Sequence, residues 1–448
     1  MRTWIAVGAM LLVGPAAVVV GRSALQAPPS LDEKLLREYA GVYGWDPNAF
    51  LYLQLWNEFT GTNQLTAFDE SGEVRTLYPD DRDRFVAGPG AAVPGSVESR
   101  IEFQRNPSGT ITGLTWQREG SPPRVAHRVN IERRQDVSFR NGDIQLAGTL
   151  ISPNSGDKHP AVILVHGSGP QARESMLPFA RFLIRHGMAV LGYDKRGVGG
   201  STGDWNTASF EDLAGDVVAA FDYLKARGDI DGTQIGLLGV SQAGWIMPLA
   251  AVRTKDLAFL ISVSGAGVPA SETTIDQAQN EMTARGMRSE VIAQIVGIMK
   301  LQNQFARTGE GWAEYAAARE QLAARIGTPP DTFPATPDHP YWQFIRRLYF
   351  YDPAPTLRQL RVPTLAVFGE LDNNTLADKN RAAWEAALTA GGHRDYTLRI
   401  LPKANHIHLE ANIGSNAEMP SLQRFVAAYF TTIHDWLAKR IRGVKARP

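Results

Sequence analysis

The chain is 448 residues long, 44% apolar and 21% charged, which fits an ordinary globular protein of two or three domains at roughly 150 residues each. Lys plus Arg and Asp plus Glu both number 46, so no global charge selects nucleic acid or an anionic membrane as partner. Cysteine is absent, which excludes disulfides, a thiolate metal site, a cysteine nucleophile and a lipid-bearing N-terminal cysteine.

The first residues have a texture of their own. Arg2 precedes an apolar run from Trp4 to Val20, broken by Gly8, Gly14 and Pro15 and closed by Gly21-Arg22-Ser23. A positive end, an apolar stretch and a polar flank predict a secretory signal peptide over residues 1–27, with Ala27 as its natural last residue. Leu25 and Pro28 make a poor cleavage site, so an uncleaved N-terminal anchor is the alternative, and the only membrane contact expected. Gly14-Pro15 and the shortness of the run weaken it as a spanning helix. Export to the periplasm or the medium is expected either way.

After a Pro-containing linker, residues 28–134 read as a small all-β domain of short strands and turns. Phe50 to Trp56 is one strand candidate. Ile101 to Gln104 and Thr110 to Trp116 flank Asn106-Pro107-Ser108-Gly109, a hairpin turn.

Near residue 135 the pattern changes. Val137 to Phe139 and Ile144 to Leu150 pair around Asn141-Gly142, and continuous apolar strands then alternate with helices. Strands are expected at 160–165, 188–193, 234–240, 258–264, 364–369 and 397–401, the signature of a mostly parallel sheet with helices on both faces. A helix over 208–227 carries Phe210, Leu213, Val217, Phe221 and Leu224 at helical spacing, and Gly228 ends it. Residues 270–355 interrupt the alternation as a helical cap, with helices near 287–307 and 311–325 and an aromatic stretch containing Trp342, Phe344, Tyr349, Phe350 and Tyr351. Tyr349 and Trp342 are the candidates there for substrate contact, although core packing of the cap accounts for the stretch more simply. Residues 135–448 thus form one α/β domain.

Chemistry concentrates at a few points. The strand Gln234 to Val240 runs into Gly239-Val240-Ser241-Gln242-Ala243-Gly244, and a helix follows. A serine on such a strand-to-helix turn is lifted clear of the sheet, provided that its neighbours two places away are small, as Gly239 and Ala243 are. A second strand, Pro160 to Val165, ends in His166-Gly167-Ser168-Gly169. Acyl transfer needs two backbone N–H groups aimed at a developing oxyanion, and the amides of Gln242 and Ser168 are the candidates. His166 reads as a brace of its loop. A serine hydroxyl also needs a base held by a third group. Glu370, Asp372 and Asp378 follow the strand Thr364 to Gly369, and His406 and His408 follow the last strand. Arg196-Gly197-Val198-Gly199-Gly200-Ser201 lacks the lysine-serine ending of a phosphate loop and does not match the dinucleotide fingerprint.

Together, Val165-His166-Gly167-Ser168-Gly169, Tyr193 to Ser201, the turn at Ser241, Gly369-Glu370-Leu371-Asp372 and Asn405-His406 resemble the α/β-hydrolase superfamily, near exported bacterial esterases and serine peptidases. That resemblance implies an α/β-hydrolase fold and the chain order serine, acid, histidine. Ser241 would then be nucleophile, Asp372 the orienting acid and His406 the base, with no metal or organic cofactor. With Tyr39-Ala40-Gly41-Val42-Tyr43 and its hairpins, the N-terminal domain is similar to lipocalin-like domains. The expected activity is hydrolysis of a small carboxylic ester, with cleavage of a short peptide by an aminopeptidase as alternative and a catalytically silent ligand-binding protein as rival. An aminopeptidase would need carboxylates for a free amine. The cap offers Glu272, Asp276, Glu281 and Glu290, which read more simply as a solvated helix face.

Overall fold

The computed structural model describes residues 32–445, apart from 48, 59, 93–95, 155, 157 and 328; the expected signal segment lies outside them. Among the described residues no helix is long and apolar enough to cross a membrane.

Eight antiparallel strands close into a barrel in simple chain order: β1 (Gly41–Asp46), β2 (Ala49–Trp56), β3 (Gln64–Asp69), β4 (Val74–Asp81), β5 (Arg84–Ala87), β6 (Ser99–Arg105), β7 (Ile111–Arg118) and β8 (Arg124–Val129). Val42 to Gly44 of β1 pair with His127 to Val129 of β8 and leave no sheet edge. The β6–β7 hairpin turns at the expected Asn106, whose Oδ1 accepts from the Thr110 amide at 2.9 Å. Side chains fill the barrel: Tyr43, Leu53, Leu65, Leu77, Phe85 and Phe103 pack around Leu36 and Tyr39 of the helix Glu33–Tyr39.

Two residues after β8 the chain enters a second sheet. Its strands are β9 (Glu132–Asn141), β10 (Ile144–Pro153), β11 (His159–Val165), β12 (Ala189–Tyr193), β13 (Ile230–Val240), β14 (Phe259–Val263), β15 (Thr364–Gly369) and β16 (Tyr396–Leu401), laid out as β16-β15-β14-β13-β11-β12-β10-β9. Only β9 with β10 and β10 with β12 run antiparallel. The inner strands are buried along their whole length, which is why they read as unbroken apolar runs. The helix Phe210–Lys225 starts with a reciprocal cap between Ser209 and Asp212 and lays Phe210, Leu213, Val217 and Phe221 on the sheet. Between β14 and β15 the cap comprises Ala270–Ala284, Ser289–Thr308, Trp312–Ile326 and Tyr341–Leu348.

The barrel and the sheet share a core. Val42, Tyr52, Trp56, Phe68 and Val74, on the outer face of the barrel, pack with Leu177, Phe179, Phe425 and Tyr429 of the α/β part. Trp56 Nε1 donates to the Ser175 carbonyl at 3.0 Å, and its ring meets Phe179 edge-on. Backbone bonds cross the same seam: the Val74 amide donates to the Gln423 carbonyl at 2.9 Å, and the Ala91 amide to that of Leu422 at 2.6 Å. Arg181 is buried there against Glu132 at 2.8 Å and Gln54 at 3.3 Å.

Truncating a fully buried aromatic costs about 3–5 kcal/mol. Trp56→Ala is therefore expected to lower unfolding stability by about that amount in urea titrations. A loss below about 1 kcal/mol would show that the seam does not hold the barrel in place.

Candidate active site

Ser241 sits between β13 and the helix Ala243–Arg253 with φ 59°. The left-handed conformation is strained for any residue with a side chain. Its amide is anchored to the Val263 carbonyl at 2.9 Å. The turn requires glycine beside it: a Cβ on Gly239 would stand 2.4 Å from that of Ala243 and 2.9 Å from the Val165 carbonyl oxygen. Gly244 presses equally closely on Gly265 and Ala266. Alanine fits at position 243 because Gly239 leaves it the room.

Asp372 and His406 arrive on the loops after β15 and β16. His406 Nδ1 lies 2.9 Å from Asp372 Oδ2 and 3.0 Å from Oδ1. Asp372, only 2% exposed, also accepts from the amides of Asn374 and Thr375, each at 2.8 Å. These bonds fix the carboxylate, and the carboxylate leaves Nε2 as the ring's free nitrogen. The turn under His406 is built by Asn405, whose Oδ1 accepts from the Ile407 and Leu409 amides. Burial opposes protonation of His406, but the charge and hydrogen bond of Asp372 outweigh it and raise the imidazole above 6.5.

The competing residues are engaged elsewhere. Glu370 is exposed and accepts from the Lys403 amide at 2.8 Å. Asp378 lies in the first turn of the helix Ala377–Ala390. His408 is fully buried, with Nε2 3.3 Å from Ser264 Oγ, and burial pushes it down to about 3. His166 is likewise buried, bonded to the Tyr193 carbonyl at 2.6 Å and pushed down to about 3.

Ser241, His406, Ser168 and Gln242 line one cavity of about 1040 Å3 beneath the cap. Gln242 is the N-cap of the helix Ala243–Arg253, where amides have no partner inside the helix. Lys195 supports both loops: Nζ donates to the carbonyls of Gly167 at 2.9 Å and Gly169 at 3.1 Å, and to Gln242 Oε1 at 2.9 Å. It thus holds the carbonyls on either side of Ser168 and ties that loop to the residue after the serine. Burial pushes this lysine down to about 7, although its three acceptors match the three N–H groups that only the ammonium has. Sequence patterns did not single Lys195 out. Its position directly before the Arg196 loop, at the end of β12, was the available signal. That loop is itself held by a buried Arg196–Asp216 pair at 2.7 Å, and it leads to Trp205 and Asn206 in the cavity wall.

The two cap aromatics part company. Tyr349 lines the cavity, its hydroxyl 3.3 Å from that of Tyr341. Trp342 does not reach it: it is 1% exposed, bonded to the Thr336 carbonyl and wedged between Phe305 and Tyr315. On a helix, neighbours in sequence face different ways, and here the inner face belongs to Trp342. Nor are the cap carboxylates all a solvated face. Glu272 and Asp276 pair with Lys379 at 3.0 and 2.7 Å, and Glu281 accepts from Ser415 Oγ at 2.9 Å and the Asn416 amide at 2.7 Å. Glu290 is exposed. Among the described residues no cluster of His, Asp or Glu is arranged to hold a metal ion.

The chain belongs to the alpha/beta hydrolase family, whose model matches residues 162–414, more than half of its length. It is 25% identical over 325 residues to the esterase EstD of Thermotoga maritima, covering 68% of this chain and 70% of that one. It is 24% identical over 314 residues to dipeptidyl-peptidase 5 of Porphyromonas gingivalis, covering 67% of this chain and 37% of that protein. A solved esterase of Pyrococcus furiosus superposes with a TM-score of 0.43 at 16% identity, covering 69% of this chain and 92% of the other. The protein is a hydrolase of the α/β type.

The Asp372 contact makes a prediction for His406. Its imidazole is expected to titrate above 6.5, and in Asp372→Asn to fall, because burial is then opposed only by the smaller effect of Glu58. Ring-nitrogen NMR across the pH range reads both; an unchanged titration in the variant would mean that Asp372 does not set the charge of this histidine.

Proposed function

We propose that the protein is an exported serine carboxylesterase that works through an acyl-enzyme on Ser241. The observation that carries this reading is the bond between His406 Nδ1 and Asp372 beside a serine held at positive φ in the same cavity. His406 Nε2 takes the proton of Ser241 as Oγ bonds to the carbonyl carbon and the carbonyl π pair moves to oxygen. The amides of Gln242 and Ser168 receive that oxyanion. The intermediate collapses, the bond to the leaving oxygen breaks, and His406 returns the proton to it. Water then repeats the sequence on the acyl-enzyme and frees Ser241.

Esters are preferred to amides because their leaving groups need less help. The likeness to EstD supports this choice, and the likeness to dipeptidyl-peptidase 5 supports peptide cleavage as the second reading. The cavity volume suits short or medium acyl chains. Export rests on the apolar N-terminal run alone.

A parallel panel of p-nitrophenyl esters of graded chain length and aminoacyl nitroanilides tests the reading. The highest kcat/KM is expected for a short or medium ester. Faster turnover of any nitroanilide than of every ester would reverse the order.

A further inference from the structure

One residue of the N-terminal barrel domain reaches the catalytic cavity. Glu58 is the second residue after β2, and it is the sole residue of the barrel domain among the described residues that line the cleft. Its side chain is exposed and stands in the wall of the cleft. Among the described residues the carboxylate has no hydrogen bond and no ion pair. The other ionisable groups of the lining are engaged. Lys195 has three acceptors, Glu281 binds Ser415, Asn416 and Arg285, Arg347 donates to the Asn206 carbonyl, and Asp204 accepts from the Asn206 amide. Glu58 and His406 act on each other's charge.

A carboxylate that stands in a cleft wall without a protein partner is open to a ligand that supplies the counter-charge. The rings of Phe179, Trp205, Tyr341 and Phe344 line the same cleft, and aromatic surface attracts an ammonium group in the way that a carboxylate does. From this juxtaposition of a barrel-borne carboxylate, an aromatic wall and the catalytic histidine, we propose that Glu58 is the anchor for a positively charged amine on the substrate. The barrel thereby completes the specificity of the cleft. The preferred substrates are cationic esters or amides. This rests on Ser241 and His406 as the reacting pair.

Desolvation at the cleft wall raises the Glu58 carboxyl above its usual range, and the charge of His406 opposes that effect. A bound ammonium restores the ionised form, which is the form that attracts it.

The test compares matched pairs that differ in one positive charge. Alanine p-nitrophenyl ester against its N-acetyl form probes the acyl side, and butyrylcholine against 3,3-dimethylbutyl butyrate probes the leaving side. In Glu58→Gln the ratio of kcat/KM, charged over neutral, is expected to fall at least tenfold in one pair, and Glu58→Asp to recover part of it. Ratios unchanged in both pairs would overturn the proposal. If the wild-type protein turns over none of the four, the esterase reading fails and binding decides alone. Calorimetry of choline and alaninamide with Ser241→Ala and with the double variant carrying Glu58→Gln then reads the anchor. Binding lost on adding Glu58→Gln supports it; equal binding, or none to either, refutes it.

Discussion

The conformation of Ser241 is the constraint on which the rest of the site depends. A residue with a Cβ held at positive φ costs on the order of 1–3 kcal/mol, and it persists only where the surroundings leave no alternative. Here the surroundings are closely packed. Gly239 lets β13 lie against β11 and the following helix, Gly244 lets that helix lie against the strand exit at Gly265, and the buried second half of β13 and the fully buried β14 fix both ends. Relaxing the turn would push atoms into Val165 or Ala266. The same closeness brings the Gln242 amide, the Ser168 loop and Lys195 to one point, so that the strain and the proposed oxyanion site have a common origin.

Much of this was legible in the sequence because parallel strands buried on both faces are unbroken apolar runs. Residues 160–165 and 364–369 read as strands for that reason, and the glycines around Ser241 marked the turn. The barrel was less legible. Its outer face is apolar at the seam, so Tyr52, Trp56 and Phe68 blur the alternation that separates inside from outside. Buried polar residues such as Gln54 and Arg75 blur it further. Strands β3, β4 and β5 therefore had no distinct signal, and the fold passes into the second sheet at β9 a few residues before the change of texture.

The site was legible in its loops and obscure in its supports. Ser241, Asp372 and His406 follow strand ends, where position alone suggests chemistry. Between His406 and His408 sequence could argue only from the preceding Ala-Asn pair; burial and hydrogen bonding now separate them, one on Asp372 and the other on Ser264. Trp342 and Tyr349 belong to one aromatic run, yet only the second meets the cavity. Glu58 could not have been found: it reaches the cleft across a domain seam that no local pattern encodes.

The central claim is that Ser241 is a nucleophile activated by His406. The direct measurement is covalent labelling with a fluorophosphonate probe, followed by mass spectrometry of the labelled peptide. The account predicts a single phosphonyl adduct on Ser241, much slower to form in His406→Ala and absent from a folded Ser241→Ala protein. A wild-type protein that stays unlabelled, or one labelled at another residue such as Ser168, would contradict it.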